Sequence, residues 1–395
     1  MGQTVTEKIV QAHAVGLPEE HEVRAGDMVT VRPHHVMTHD NTGAVIPKFR
    51  TIGAPRVADP SQPVFALDHN VQDRSEANLA KYRTIEAFAR EQGIVFHPAG
   101  AGIGHQLMIE RGFVHPGRLE VASDSHSNMY GAVAALGTPV VRTDAAAIWA
   151  SGTTWWQVPR TVRVVLEGEL RPGVTGKDVI LTLIGMYGSG EVLNAAVEFH
   201  GPGVAALGMA DRMTIANMTT EWGALVGWFP FDAVTAAYLR ERAAVLAAEV
   251  SEGRASPSRR RRIYAALQFL HSKKGLDALC GAVTDETETG LKLAAIRALA
   301  VMHERRAIDA LLRAARDGEI SVRRKAMEAL YSMGTTEAHR ALTERYLSLP
   351  VGAADASAVD ELLENAGLFS KPRSGSASHT VEVDPAGATG RSNRR

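Results

Sequence analysis

The chain has one cysteine, Cys280, in 395 residues. A lone thiol excludes an internal disulfide framework. It also excludes any metal or cluster site built from three or four cysteines of this sequence. Net charge is almost absent: 43 Lys and Arg balance 44 Asp and Glu, leaving −1. No global field therefore draws the chain to nucleic acid or to an anionic membrane. No apolar run approaches the roughly 18 residues of a membrane span. Residues 1–10 show neither an apolar signal core nor an Arg-rich presequence pattern.

What is present is an ordinary globular mixture, 45% hydrophobic and 22% charged. The length suits two or three domains. Over residues 1–245 the pattern is α/β. Apolar runs such as Val64 to Leu67, Ile94 to Phe96 and Val162 to Leu166 read as buried strands. Glu76 to Gln92 reads as a helix stopped by Gly93. The Gly-rich stretches 99–104, 185–190 and 201–208 read as loops, and 232–255 as one long helix.

From residue 258 to 349 the pattern is helical and repeats. The segments starting at Ser258, Gly290 and Ser321 align at offsets of 32 and 31 residues, each ending in an Ala-Leu pair. Such a period, with two helices per unit, predicts a short solenoid similar to HEAT repeats. Solenoids of this kind bind proteins, so a protein partner is expected on the repeats. The basic run Arg259 to Arg262 recurs as Arg323 to Lys325 and is expected to line a solvated face rather than bind nucleic acid. Cys280 is expected to be a buried structural thiol. A short helix and a disordered tail are expected over 350–395.

Three groups of ionisable residues follow expected strands: Asp68-His69, Gly104-His105-Gln106 and Asp124-Ser125-His126. Strand ends are where α/β folds form ligand crevices, and imidazoles beside carboxylates suit proton transfer. A fourth group, His34, His35 and His39-Asp40, reads as structural. A Ser-His-Asp hydrolase lacks its Gly-x-Ser-x-Gly elbow here, and a zinc site lacks H-E-x-x-H spacing.

These groups belong to longer motifs: Met37 to Asn41, Leu67 to His69, Gly102 to Gln106, Ala122 to Gly131, Thr154 to Pro159 and Ile215 to Ala224. Together they resemble the aconitase superfamily of hydro-lyases, nearest to its fungal-type homoaconitate hydratase branch, from about Gly2 to Arg242. The resemblance implies a three-layer α/β/α fold. It implies dehydration and rehydration of homocitrate, homoaconitate and homoisocitrate on the aminoadipate route to lysine. It assigns acid–base roles to Asp68, His69, His105, Asp124, Ser125 and His126. Asn217 and Glu221 match residues near the family's cluster and its bound water.

The family's cofactor is a four-iron–four-sulfur cluster held by three cysteines downstream of the matched segment. Those cysteines, the substrate-binding arginines and the serine base have no counterpart in this sequence. Two readings therefore stand. A second chain supplies the cluster and swivelling domains, or the product is a catalytically silent fragment that works through its repeats. The resemblance implies a tricarboxylate ligand, and a mitochondrial matrix location in a eukaryote or a cytoplasmic one otherwise.

Overall fold

The computed structural model describes residues 2–349, except Glu19 and His271. The chain divides into two compact units, Met1–Arg242 and the residues from Ala243 onward. The division falls inside helix Ala233–Ser251. The helix and tail expected over 350–395 lie outside the described residues.

The first unit is mixed α/β. Its strands are β1 (Met28–Val31), β2 (His35–Thr38), β3 (Pro63–Ala66), β4 (Val95–His97), β5 (Leu119–Ala122), β6 (Leu136–Pro139), β7 (Thr154–Gln157), β8 (Thr161–Val165), β9 (Ala196–His200) and β10 (Val226–Trp228). Five of them form a parallel sheet in the order β4-β3-β2-β5-β6. β3 is buried at every position, as its unbroken apolar run requires of a central parallel strand. From β2 the chain moves outward through β3 to β4. It then returns to β5 and moves the other way to β6. Right-handed crossovers put those two directions of travel on opposite faces, which gives the three layers.

One face is closed by helices Thr42–Ile52, Glu76–Gln92 and Arg142–Ser151. Their rings meet the sheet: Trp149 lies 5.0 Å from Phe65, and Phe88 is 5.9 Å from both Phe49 and Trp149. Each such buried ring contributes roughly 2 kcal/mol. Helix Glu76–Gln92 starts where the Ser75 side chain accepts from the Asn78 amide, and it ends at Gly93 in the left-handed conformation (φ 75°). A smaller parallel sheet, β10-β9-β8, carries helices Gly176–Met186 and Met209–Met218. In the latter helix the fully buried Arg212 pairs with Asp232 at 2.6 and 2.9 Å and donates to the Val204 and Leu207 carbonyls.

Two Gly-rich stretches differ from expectation. Residues 185 and 186 close helix Gly176–Met186, and Pro202–Ala206 forms a short helix, with Pro at its first position. Proline is tolerated there because that amide has no helical partner.

In the second unit, helices Pro257–Leu270, Thr289–Met302 and Ile320–Ser332 stack on one another, as do Lys273–Asp285, Arg305–Ala314 and Thr336–Leu347. Equivalent repeat positions are buried alike: Ile263, Ala295 and Ala326, then Leu267, Leu299 and Leu330, are all fully buried. The basic run is less solvated than its composition suggests. Arg259 pairs with Glu249 at 3.0 Å and Arg260 with Glu286 at 2.7 Å, both largely shielded. Cys280 is half-buried.

Candidate active site

β2 and β5 are neighbours, and the chain leaves them toward opposite edges of the sheet. At such a switch point the loops beyond the carboxyl ends diverge and leave a crevice. His39 and Asp40 follow β2, Asp68 and His69 follow β3, and Asp124 follows β5. His105 enters on the first turn of helix Gly104–Glu110.

Asp124 is the hub. Its Oδ1 accepts from His105 Nε2 at 2.7 Å and from the His126 amide at 2.9 Å. Its Oδ2 lies 3.4 Å from His69 Nε2 and 3.8 Å from His39 Nε2. Burial works to raise the Asp124 pKa. The His105 hydrogen bond and charge, the His126 amide and the His39 charge outweigh it and hold the carboxyl well below the usual range. It is therefore ionised at neutral pH, and each nitrogen that bonds to it is a donor. On the far side of the His105 ring, Nδ1 meets the Tyr130 hydroxyl at 3.0 Å. Burial, followed by the nearby carboxylates, keeps that phenol protonated far above pH 10.

A second pair sits beside the first. His69 Nδ1 is 2.6 Å from Asp68 Oδ1, and Asp68 Oδ2 accepts from the Gly104 amide at 2.6 Å. A Cβ at residue 104 would lie 3.0 Å from that oxygen, so glycine lets the helix start approach the carboxylate. His39 stacks on His69 with ring centroids 3.8 Å apart. Burial, then the His69 charge, lowers the His39 pKa. The Asp40 carboxylate turns inward and accepts from the amides of Asp68, His69 and Asn70 at 2.9, 2.8 and 3.2 Å, and from the Tyr82 hydroxyl. It fixes the loop that carries Asp68 and His69.

The third wall comes from the smaller sheet. His126 Nδ1 is 3.0 Å from Asn217 Oδ1, and its Nε2 is 3.5 Å from Glu221 Oε1. The two walls join where Asn128 donates to Thr219 Oγ1 and the Ala224 carbonyl, and where the Phe229 amide donates to the Gly131 carbonyl. The Ser125 hydroxyl is exposed, and its carbonyl accepts from Thr220 Oγ1 at 2.5 Å.

Asp68, His69, His105, Asp124, His126, Asn217 and Glu221 thus share one crevice, and Ser125 stands at its rim. The His69, His126 and Glu221 side chains are 49, 36 and 44% exposed, whereas those of His105 and Asp124 are nearly closed off. The open side is therefore lined by His69, His126 and Glu221. The sequence reading took His39 and Asp40 as structural, whereas the structure puts them in the crevice, and it left out Tyr82 and Tyr130. The available signals were the position of His39-Asp40 after the apolar Val36-Met37, and that of Tyr130 inside the Ala122 to Gly131 motif.

The model of the aconitase family (aconitate hydratase) matches residues 7–262, well over half the chain. The chain belongs to the aconitase family. Among similar proteins are three named mitochondrial homoaconitase. That of Eremothecium gossypii is 63% identical over 243 residues, covering 62% of this chain and 35% of the relative. That of Cryptococcus neoformans var. neoformans is 61% identical over 230 residues, covering 58 and 32%. That of Aspergillus niger is 56% identical over 253 residues, covering 64 and 33%. The chain spans about a third of the length of the curated relatives it matches. HEAT repeats match residues 276–362.

The family implies a four-iron–four-sulfur cluster, and the thiol inventory of this sequence does not fit one. Cys280 is the single cysteine, and it lies on helix Lys273–Asp285 in the other unit. Burial pushes its thiol up, away from the thiolate that iron ligation needs. The residues of this sequence do not by themselves hold the cluster.

Proposed function

We propose that residues 1–245 supply the acid–base wall of a hydro-lyase site. Its substrates are hydroxy-tricarboxylates of the homocitrate, homoaconitate and homoisocitrate class. The observation that carries this is the convergence of the His105, His69 and His39 imidazoles, from separate loops, on the ionised Asp124, whose carboxylate also accepts from the His126 amide. In the dehydration direction a histidine N–H gives its proton to the departing hydroxyl, the C–O bond breaks and water leaves. Asp68 and Asn217 hold the two solvent-facing rings, His69 and His126, in place for that transfer. The base that takes the carbon-bound proton and the cluster ligands come from polypeptide outside this sequence. The relatives' names support homoaconitate as a substrate and a mitochondrial location.

A second reading rests on the helical repeats at 258–349. In it, residues 1–245 are catalytically silent and the solenoid binds a protein partner. One experiment separates the two. The chain is purified alone and also mixed with a polypeptide carrying the remaining two-thirds of a homoaconitase, with its cluster reconstituted. Homoaconitate hydration is followed by loss of the alkene absorbance. The chain alone should show no turnover above background. The mixture should turn over, and His126→Ala should cut that rate by roughly 100-fold or more. An inactive mixture favours the second reading, and robust turnover by the chain alone contradicts the account of the missing groups.

A further inference from the structure

β2 and β5 carry a second constellation at their other, amino-terminal ends, where His35 pairs in register with Glu120. The Glu120 carboxylate is fully buried. His34 Nδ1 lies 3.3 Å from its Oε1, and His35 Nδ1 lies 3.2 Å from its Oε2. Donor atoms of all three residues lie within 4.8 Å of one another. The two imidazoles meet edge to face with centroids 4.3 Å apart, and Phe113 closes the far side of His35 at 5.4 Å.

A hydrogen bond from an imidazolium to a carboxylate is shorter than this, about 2.7–2.9 Å. A tetrahedral cation with bonds of about 2.0–2.1 Å instead holds neighbouring donor atoms roughly 3.3 Å apart. The two contacts lie at the long end of the hydrogen-bond range and at the length of such an edge, so the three side chains are spaced to take an ion between them. We propose that His34, His35 and Glu120 bind a divalent transition-metal cation of the zinc class through Nδ1 of each ring and the carboxylate. Two imidazoles with one carboxylate favour zinc, cobalt or nickel over magnesium or calcium, which prefer all-oxygen shells. The His35 amide, which donates to Oε2 at 2.8 Å, orients the carboxylate from outside the ligand set. His34 is about one-third exposed and gives the ion its way in. The metal clamps the amino ends of the two strands whose carboxyl ends present His39 and Asp124.

The test titrates the untagged full chain with Co²⁺, read by the visible absorption of tetrahedral cobalt, followed by displacement with Zn²⁺. The expected result is one equivalent bound. His34→Ala and His35→Ala should each weaken binding by at least the roughly 10- to 100-fold that loss of an outer-shell partner costs. His21→Ala, a partly exposed ring beside Asp27 away from both sites, should leave binding unchanged. Zn²⁺ should raise the Tm of the wild type and not that of His34→Ala, which sits on the exposed side and spares the buried carboxylate. Absence of stoichiometric binding, undiminished binding in His34→Ala, or a loss in His21→Ala overturns the assignment.

Discussion

Gly131 and Gly227 touch so closely that a Cβ built on Gly131 would lie 1.7 Å from the Gly227 carbonyl oxygen. This contact seats the 3-10 helix Ser125–Val133 on β10, and so brings His126 to Asn217 and Glu221. Neither partner at the contact is a flexible side chain, so the clash has no cheap relief.

Gly131→Ala should therefore destabilise the first unit by about 3 kcal/mol or more, the upper range for overpacking. Gly185→Ala is the matched control, because its Cβ would meet nothing within 4 Å. It lies inside helix Gly176–Met186 and should gain roughly 0.5–1 kcal/mol. Urea unfolding of the two variants checks the contrast. Equal midpoints would contradict the contact.

Asp124 makes stability sensitive to acid. Its folded pKa is depressed, so its contribution is complete above the unfolded value of about 3.9 and is lost as pH falls toward the folded value. Asp124→Asn should lower stability at pH 7 by about 1–3 kcal/mol, since His105 and the His126 amide lose a charged acceptor. The variant should also lose stability less steeply below pH 4 than the wild type. Chemical denaturation at a series of pH values reads both effects, and an unchanged acid slope would count against Asp124 as the hub.

His39 acts in a different window. Its folded pKa lies below the ordinary 6.5, so the unfolded chain takes up the proton first. Its contribution is whole above pH 6.5 and declines as pH drops below it. His39→Gln keeps a planar polar group beside His69 and removes this titration. The wild type should lose stability between pH 6.5 and 5 more steeply than the variant does. Parallel curves over that range would show that His39 stays as solvated as in the unfolded chain.

Much of this was legible in the sequence. The strands containing Val64 and Val95 announced themselves by apolar runs, the helix before Gly93 by its stop, and the repeats by recurring Ala-Leu pairs that turn out to share one buried position. Asp68, His69, His105, Asp124, His126, Asn217 and Glu221 were legible through their motifs as residues that the fold brings together. The fourth histidine group was not, and β2 gives the reason. His34, His35 and His39 read as one cluster along the chain, but an extended strand at about 3.3 Å per residue separates His35 from His39 by about 13 Å. The same spacing along β5 separates Glu120 from Asp124. Two sites at opposite ends of one strand pair thus looked like a single structural patch. The partners of Arg259 and Arg260 were hidden for a related reason, because Glu249 and Glu286 are ten and 26 positions away.

Every group of the Asp124 crevice, from His39 to Glu221, lies in the first compact unit, which closes at Arg242. Vectorial synthesis gives that arrangement an order in time. Once β10 has emerged from the ribosome, the crevice has all the backbone it needs. At roughly 5–20 residues per second, translation of the remaining sequence takes on the order of ten seconds. The nascent chain therefore has the whole backbone of the Asp124 crevice outside the ribosome before the last of its repeat helices has been made.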